Sequence, residues 1–105
     1  MNVEQVENLI NKIEMQLKND GLWGDKRPSE EYFESSAPFF MDKMEFHEWL
    51  QFVLIEKFRD MISKKQILPK KMCLYPYAIE VYKDEKFKKK ELIKLIYQLD
   101  KLFEN

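Results

Sequence analysis

Between Pro38 and Ile62 the chain reads PFFMDKMEFHEWLQFVLIEKFRDMI, its longest near-continuous apolar segment and the home of one of its two tryptophans. Phe46, Trp49, Leu50, Val53 and Leu54 fall on one face of a helix, and Phe52, Ile55 and Phe58 widen that face well past a surface helix's stripe. A helix apolar over most of its circumference has to be covered on several sides, and other helices do this in a soluble chain. Asp42-Lys43-Met44-Glu45 has capping-box spacing. The Asp42 carboxylate would accept from the Glu45 amide and the Glu45 side chain would reach back to the Asp42 amide. The pattern therefore predicts a helix over 43–65, started by Asp42 and Glu45, with Trp49 and Val53 in its core stripe. Lys64 and Lys65 sit at its C-terminal end, which favours cations.

The same periodicity marks the other elements. Val3, Val6, Leu9, Ile10, Ile13 and Leu17 recur at steps of three and four, which predicts a first helix over 2–19, with Asn2 as cap and Gly21 as stop. Residues 20–41 hold two glycines, two prolines and three serines, which argues for a loop broken by one short turn at 29–33. Trp23, Tyr32, Phe33, Phe39 and Phe40 are too many aromatics for a solvated linker, so the loop is expected to be ordered and to seal one end of a bundle. Leu68-Pro69 ends the long helix, and Pro76 suits a first helical position. A short third helix is predicted over 76–83, with Tyr75, Ala78, Ile79 and Tyr82 inward. A fourth is predicted over 85–103, capped by Asp84, with Leu92, Leu95, Ile96, Leu99, Leu102 and Phe103 inward and Phe87 near its start. No two runs alternate with period two around a hairpin turn, so the fold class is all-α.

A chain of 105 residues reads as a single domain, long enough to bury roughly 65 % of its unfolded surface without staples. The lone Cys73 forms no internal disulfide and fits a reducing compartment. The N-terminal residues have acids where a signal peptide needs a basic segment and an apolar run. No stretch reaches the ~20 apolar residues of a membrane span. A cytoplasmic location is expected, with no membrane partner. Residues 1–52 carry 5 basic and 11 acidic side chains, whereas residues 53–105 carry 13 and 8. Such polarity steers either a charged partner or the chain's two halves together, and the second reading is preferred.

Candidate chemistry is thin. His47-Glu48 begins a metal-binding HExxH pattern, but Gln51 stands where the second histidine belongs and His47 is the only histidine. A bundle di-iron site needs two histidines and a zinc site needs more thiols than one, so no metal and no cofactor are expected. Cys73 between Met72 and Leu74 reads as a small core residue. Asp42 and Glu45 are accounted for by capping, and Glu48 by solvent. Gly21 and Gly24 are the only glycines, too few for a phosphate loop. The lysine run Lys83, Lys86, Lys88, Lys89, Lys90 and Lys94 is the most suggestive polar feature, with Lys86, Lys90 and Lys94 on one helical face. It reads as a solvated face balanced by the acidic half, or as a contact for an anionic partner such as RNA. No strands for a stacking sheet and no GxxG loop accompany it.

Trp23, Phe33 and Ser36, the run Pro38-Phe39-Phe40-Met41-Asp42, and Met44-Glu45 through Glu48-Trp49-Leu50-Gln51 to Val53-Leu54-Ile55 together resemble the YqcC-like family of small bacterial helical proteins. Leu68-Pro69, Pro76-Tyr77 and Leu99-Asp100-Lys101-Leu102-Phe103 also fit, so the resemblance covers almost the whole chain. Lys43 departs from the family's usual threonine, and Glu56 from a proline that often follows the apolar run. The resemblance implies a compact antiparallel four-helix bundle, associated through neighbouring genes with tRNA pseudouridine synthase C. The chain lacks the length and strands of such an enzyme. It is therefore expected to be a non-catalytic interaction module, an accessory partner of that synthase or of tRNA. Phe39, Phe40, Lys86, Lys89 and Lys90 are its candidate partner-binding residues, with Trp23, Asp42, Glu45, Trp49 and Val53 structural. Two alternatives stand beside this reading: weak direct RNA binding by the basic C-terminal half, and an unrecognised small-molecule-binding protein or enzyme with a pocket near Trp23 or Trp49.

Overall fold

The apolar stripe at the N-terminus becomes α1, Val3–Asn19, whose Val6, Ile10, Ile13 and Leu17 are 0–1 % exposed. The helix stops as its glycine requires. Gly21 adopts φ 73°, its N–H bonds the Lys18 carbonyl at 3.1 Å, and the Leu22 N–H bonds the Leu17 carbonyl at 2.8 Å. This pair of bonds satisfies two terminal carbonyls and turns Leu22 back onto the core. The computed structural model describes residues 3–34, 44–68, 71–85 and 87–103. Within them every regular element is helical.

The loop after α1 makes one short 3₁₀ turn, Glu30–Glu34, close to the turn that its sequence predicted. The central apolar segment then forms one rod in three parts: α2 (Phe46–Trp49), a π-helical stretch (Leu50–Ile55) and α3 (Glu56–Ser63). Backbone angles at Trp49 and Ile55 are helical, so the parts run on without a break. The rod starts three residues later than its capping pattern predicted. Glu45, not Asp42, is the N-cap, and the Glu48 carboxylate accepts the Glu45 N–H at 2.8 Å. The capping box is therefore Glu45 with Glu48, because Met44 is buried and Phe46 takes the first inward position. Glu48, expected in solvent, is half-buried by this contact. Asp42 lies outside the described residues.

The π-helical stretch changes which residues the rod buries. A π turn takes in more residues than an α turn, so the inward face widens and its register shifts. Leu50, Gln51, Phe52, Leu54 and Ile55 all point inward, and Val53, expected in the core stripe, is moved to its half-buried margin. Trp49 is also half-buried, stacked on Phe46 with ring centroids 6.3 Å apart.

Two shorter helices complete the bundle. In α4, Tyr75–Val81, Ala78 is fully buried, and Pro76 is the second helical residue, one place after the first position predicted for it. In α5, Lys90–Leu102, the inward residues are Leu92, Ile93, Ile96 and Leu99, followed by Phe103 stacked on Phe58 at 5.8 Å. α1 packs mainly on α5, and α4 also packs on α5. The fourth helix thus begins five residues later than predicted, and Asp84 does not cap it; Lys89 occupies that position. Phe87 is in consequence off the inward stripe and 91 % exposed. Cys73, expected in the core, is exposed, because Leu74 takes the inward place at the entrance to α4.

Candidate functional site

The Gln51 side chain ties the long loop to the central rod. Gln51, only 6 % exposed, accepts the Gly24 N–H at Oε1 and donates from Nε2 to the Gly24 carbonyl, both at 2.9 Å. A primary amide has one acceptor and one donor edge, so it satisfies both backbone groups of one residue as a neighbouring strand would. The residue that spoils a metal-binding pattern is therefore a latch. Trp23 beside it is half-buried against the core, with the Lys18 ammonium 5.2 Å from its ring.

Beyond the latch the loop runs over the π-helical stretch and leaves an open groove of about 790 Å³. Phe33, Phe52 and Val53 give it apolar walls. Arg27 lies 4.5 Å over the Phe33 ring and pairs with Glu56 across the groove. Lys57, Arg59 and Asp60 continue the rim. Arg59 also reaches α1, bonding Glu14 at 2.6 Å and the Asn11 Oδ1 at 3.0 Å. Hydrogen bonding from Lys18, and then from Arg59, holds the Glu14 carboxyl below the ordinary glutamate range against the opposing effect of burial. This ion pair joins the acidic half of the chain to the basic half.

A second polar cluster gathers around Tyr82 at the end of α4. Its ring meets Phe46 edge-on at 6.1 Å. Burial disfavours the phenolate, and Glu85, Asp20 and Glu45 add like-charge repulsion, so its pKa is pushed up to about 12. The Tyr82 hydroxyl, the Asp20 Oδ2 and the His47 Nδ1 are buried with no hydrogen-bond partner among the described residues. Below the ordinary tyrosine value of about 10 both folded and unfolded chains keep the proton. Between about 10 and about 12 the unfolded chain alone releases it, so stability falls as pH rises through that window. Tyr82→Phe removes this loss, seen as a smaller difference in unfolding free energy between about pH 9 and about pH 11. At neutral pH it costs nothing or stabilises by up to about 1 kcal/mol, since an unpartnered buried hydroxyl is deleted.

Of the remaining candidates, Lys89 and Lys90 are adjacent at the start of α5. Lys90 is exposed at the first position of α5. Lys89 is folded back, its side chain 13 % exposed, 3.8 Å from the Glu85 carboxylate and 6.0 Å from the Tyr82 ring. Phe39, Phe40 and Lys86 lie outside the described residues. Among the described residues no group of three or more His, Cys, Asp or Glu side chains is placed to hold a metal ion. No helix among them is long and apolar enough to cross a membrane.

Asp100 was not singled out from the sequence. It is 8 % exposed, and its carboxylate accepts the Leu74 N–H at 2.8 and 2.9 Å and the Tyr75 N–H at 2.7 Å. It caps α4 from α5, supplying negative charge to amides that the short helix leaves free. The signal was present in the inward phase of Ile93, Ile96, Asp100 and Phe103, where a lone carboxylate interrupts an apolar row.

A family model described as "tRNA pseudouridine synthase C" matches residues 5–102. The uncharacterised protein YqcC of Escherichia coli K12 is 40 % identical over 68 residues, which span 65 % of this chain and 62 % of that protein. An uncharacterised protein of Haemophilus influenzae is 30 % identical over 80 residues, 76 % of each chain. A Pectobacterium carotovorum protein named tRNA pseudouridine synthase C is 33 % identical over 66 residues, covering 63 % of this chain but 18 % of that protein. The solution NMR structure of Escherichia coli YqcC superposes with a TM-score of 0.84 at 32 % identity, covering 98 % of this chain and 89 % of that one.

Proposed function

The chain belongs to the YqcC-like family (DUF446), and from that premise we propose that it is a non-catalytic interaction module serving tRNA pseudouridylation as a partner of tRNA pseudouridine synthase C. One observation carries the reading. In Pectobacterium a stretch similar to this chain occupies 18 % of a longer protein that bears the synthase's name. Two modules joined in one polypeptide meet at a high effective concentration, and a chain like the smaller module carries on its surface the groups for the same contact. The groove beside the π-helical stretch suits that contact. Its apolar walls of Phe33, Phe52 and Val53 inside a rim of both charge signs repeat the core-and-rim arrangement of protein interfaces.

The cell that makes the protein offers the test. Deleting its gene is expected to lower the pseudouridine content of the synthase's tRNA substrates, and the parent chain to restore it. Val53→Arg places a charge in the groove at a half-buried position, so the variant is expected to fold as the parent does and to fail to restore the modification. Modification that is unchanged by the deletion would refute the reading.

A further inference from the structure

The turn that joins α4 to α5 presents an aromatic ring that the described residues leave uncovered. Phe87 is 91 % exposed, which forgoes the burial that a phenylalanine normally contributes. The base of the turn is fixed. The Glu85 N–H bonds the Tyr82 carbonyl, the Lys89 N–H bonds the Glu85 carbonyl, both at 2.9 Å, and the Lys89 side chain folds back on the Tyr82 ring. Phe87 therefore projects from an anchored support.

The charges around it are unbalanced. Lys83 is paired with Glu80, and Lys89 with Glu85. Lys88, Lys90 and Lys94 are exposed without an ion-pair partner among the described residues, and residues 83–94 carry six lysines against three acids, Asp84, Glu85 and Glu91. An isolated ring flanked by free ammonium groups fits a nucleobase between two phosphates, because stacking needs only a π-face and the backbone needs only point charges. A protein partner fits less well. Binding hot spots favour Trp, Tyr and Arg within a ring of packed neighbours, and Phe87 has no such ring.

We propose that the α4–α5 turn is a contact for unpaired RNA, in which Phe87 stacks on an exposed base and Lys88 and Lys90 meet the flanking phosphates. Unpaired RNA is specified because a duplex hides its base faces within its own stack. The proposal deepens the reading above by placing RNA on this module, and it rests on residues separate from the groove.

Fluorescence anisotropy tests it on the full chain with no synthase present. The probes are an RNA hairpin with an unpaired loop, a fully paired duplex of the same stem, and vesicles of anionic phospholipid. The hairpin is expected to bind more tightly than the duplex and to weaken steeply between about 50 and about 200 mM salt. Phe87→Ala is expected to weaken hairpin binding about 5- to 150-fold, the range for loss of one stacked base. Changing Lys88 and Lys90 together to Ala is expected to reduce the logarithmic salt slope by about 1.4, near 0.7 for each phosphate on a single strand. Both variants change exposed positions, and unchanged thermal melts establish that they are folded. Equal binding of hairpin and duplex, unaltered binding by Phe87→Ala, or binding to vesicles and not to RNA overturns the proposal. A chain that joins the synthase yet binds no RNA refutes this inference alone, and a chain that binds RNA yet ignores the synthase refutes only the partnership.

Discussion

An Asp100→Ala chain will unfold about 3 kcal/mol more readily than the parent, because the change strands two amides at the entrance to α4. The Leu74 side chain is 2 % exposed, so water has poor access to the amides once the carboxylate is gone. Each buried, unsatisfied N–H costs about 1–3 kcal/mol, and the lost bonds were made to a charged acceptor. For a domain of this size the melting temperature should fall by about 10–20 °C. Asp100→Asn separates capping from charge. Its carbonyl oxygen still accepts, so about half of the loss should return. Urea unfolding of the two variants checks this, and a cost below about 1 kcal/mol for Asp100→Ala contradicts it.

Leu50→Ala should cost about 2–5 kcal/mol, the range for deleting a buried leucine whose cavity cannot close. Leu50 opens the π-helical stretch and is 0 % exposed within the cluster shared with α1 and α5. The wider turn holds its neighbours Gln51, Phe52, Leu54 and Ile55 inward together, so little room exists for the rod to settle into the gap. Unfolding in denaturant should show the lower midpoint with an unchanged slope. A loss under about 1 kcal/mol would mean that this rod does not organise the core.

The all-helical architecture was legible because burial follows spacing. Val6, Ile10, Ile13 and Leu17 recur at helical steps and are almost wholly enclosed, and the glycine after them stops the helix by the backbone conformation that glycine alone adopts freely. What the spacing did not carry was the change of helix type. The shift that moves Val53 outward and admits Gln51 belongs to the π turn, and an α-helical reading assigns both residues the opposite way. Long-range caps were hidden for a related reason. Asp100 and Gln51 serve backbone groups 25–27 residues away, whereas the capping patterns that sequence offers are local. The Asp42–Glu45 and Asp84 expectations follow those local patterns and yield the wrong helix starts. Phe87 was placed near the inward stripe because its helix was taken to begin too early, and its exposure came to light only with the turn.

The proposals rest on three features: a latch that fixes a loop, a groove beside that latch, and an aromatic turn at another place on the bundle. The groove's pairing of Arg27 with Glu56 lies at the surface and should be worth less than about 1 kcal/mol to folding. The most direct measurement is isothermal titration calorimetry of the full chain against tRNA pseudouridine synthase C from the same cell, with the Val53→Arg chain alongside. A saturable complex with the parent chain that the variant does not form is the predicted result. Absence of heat and of any complex at micromolar concentrations, or equal binding by parent and variant, would contradict the account.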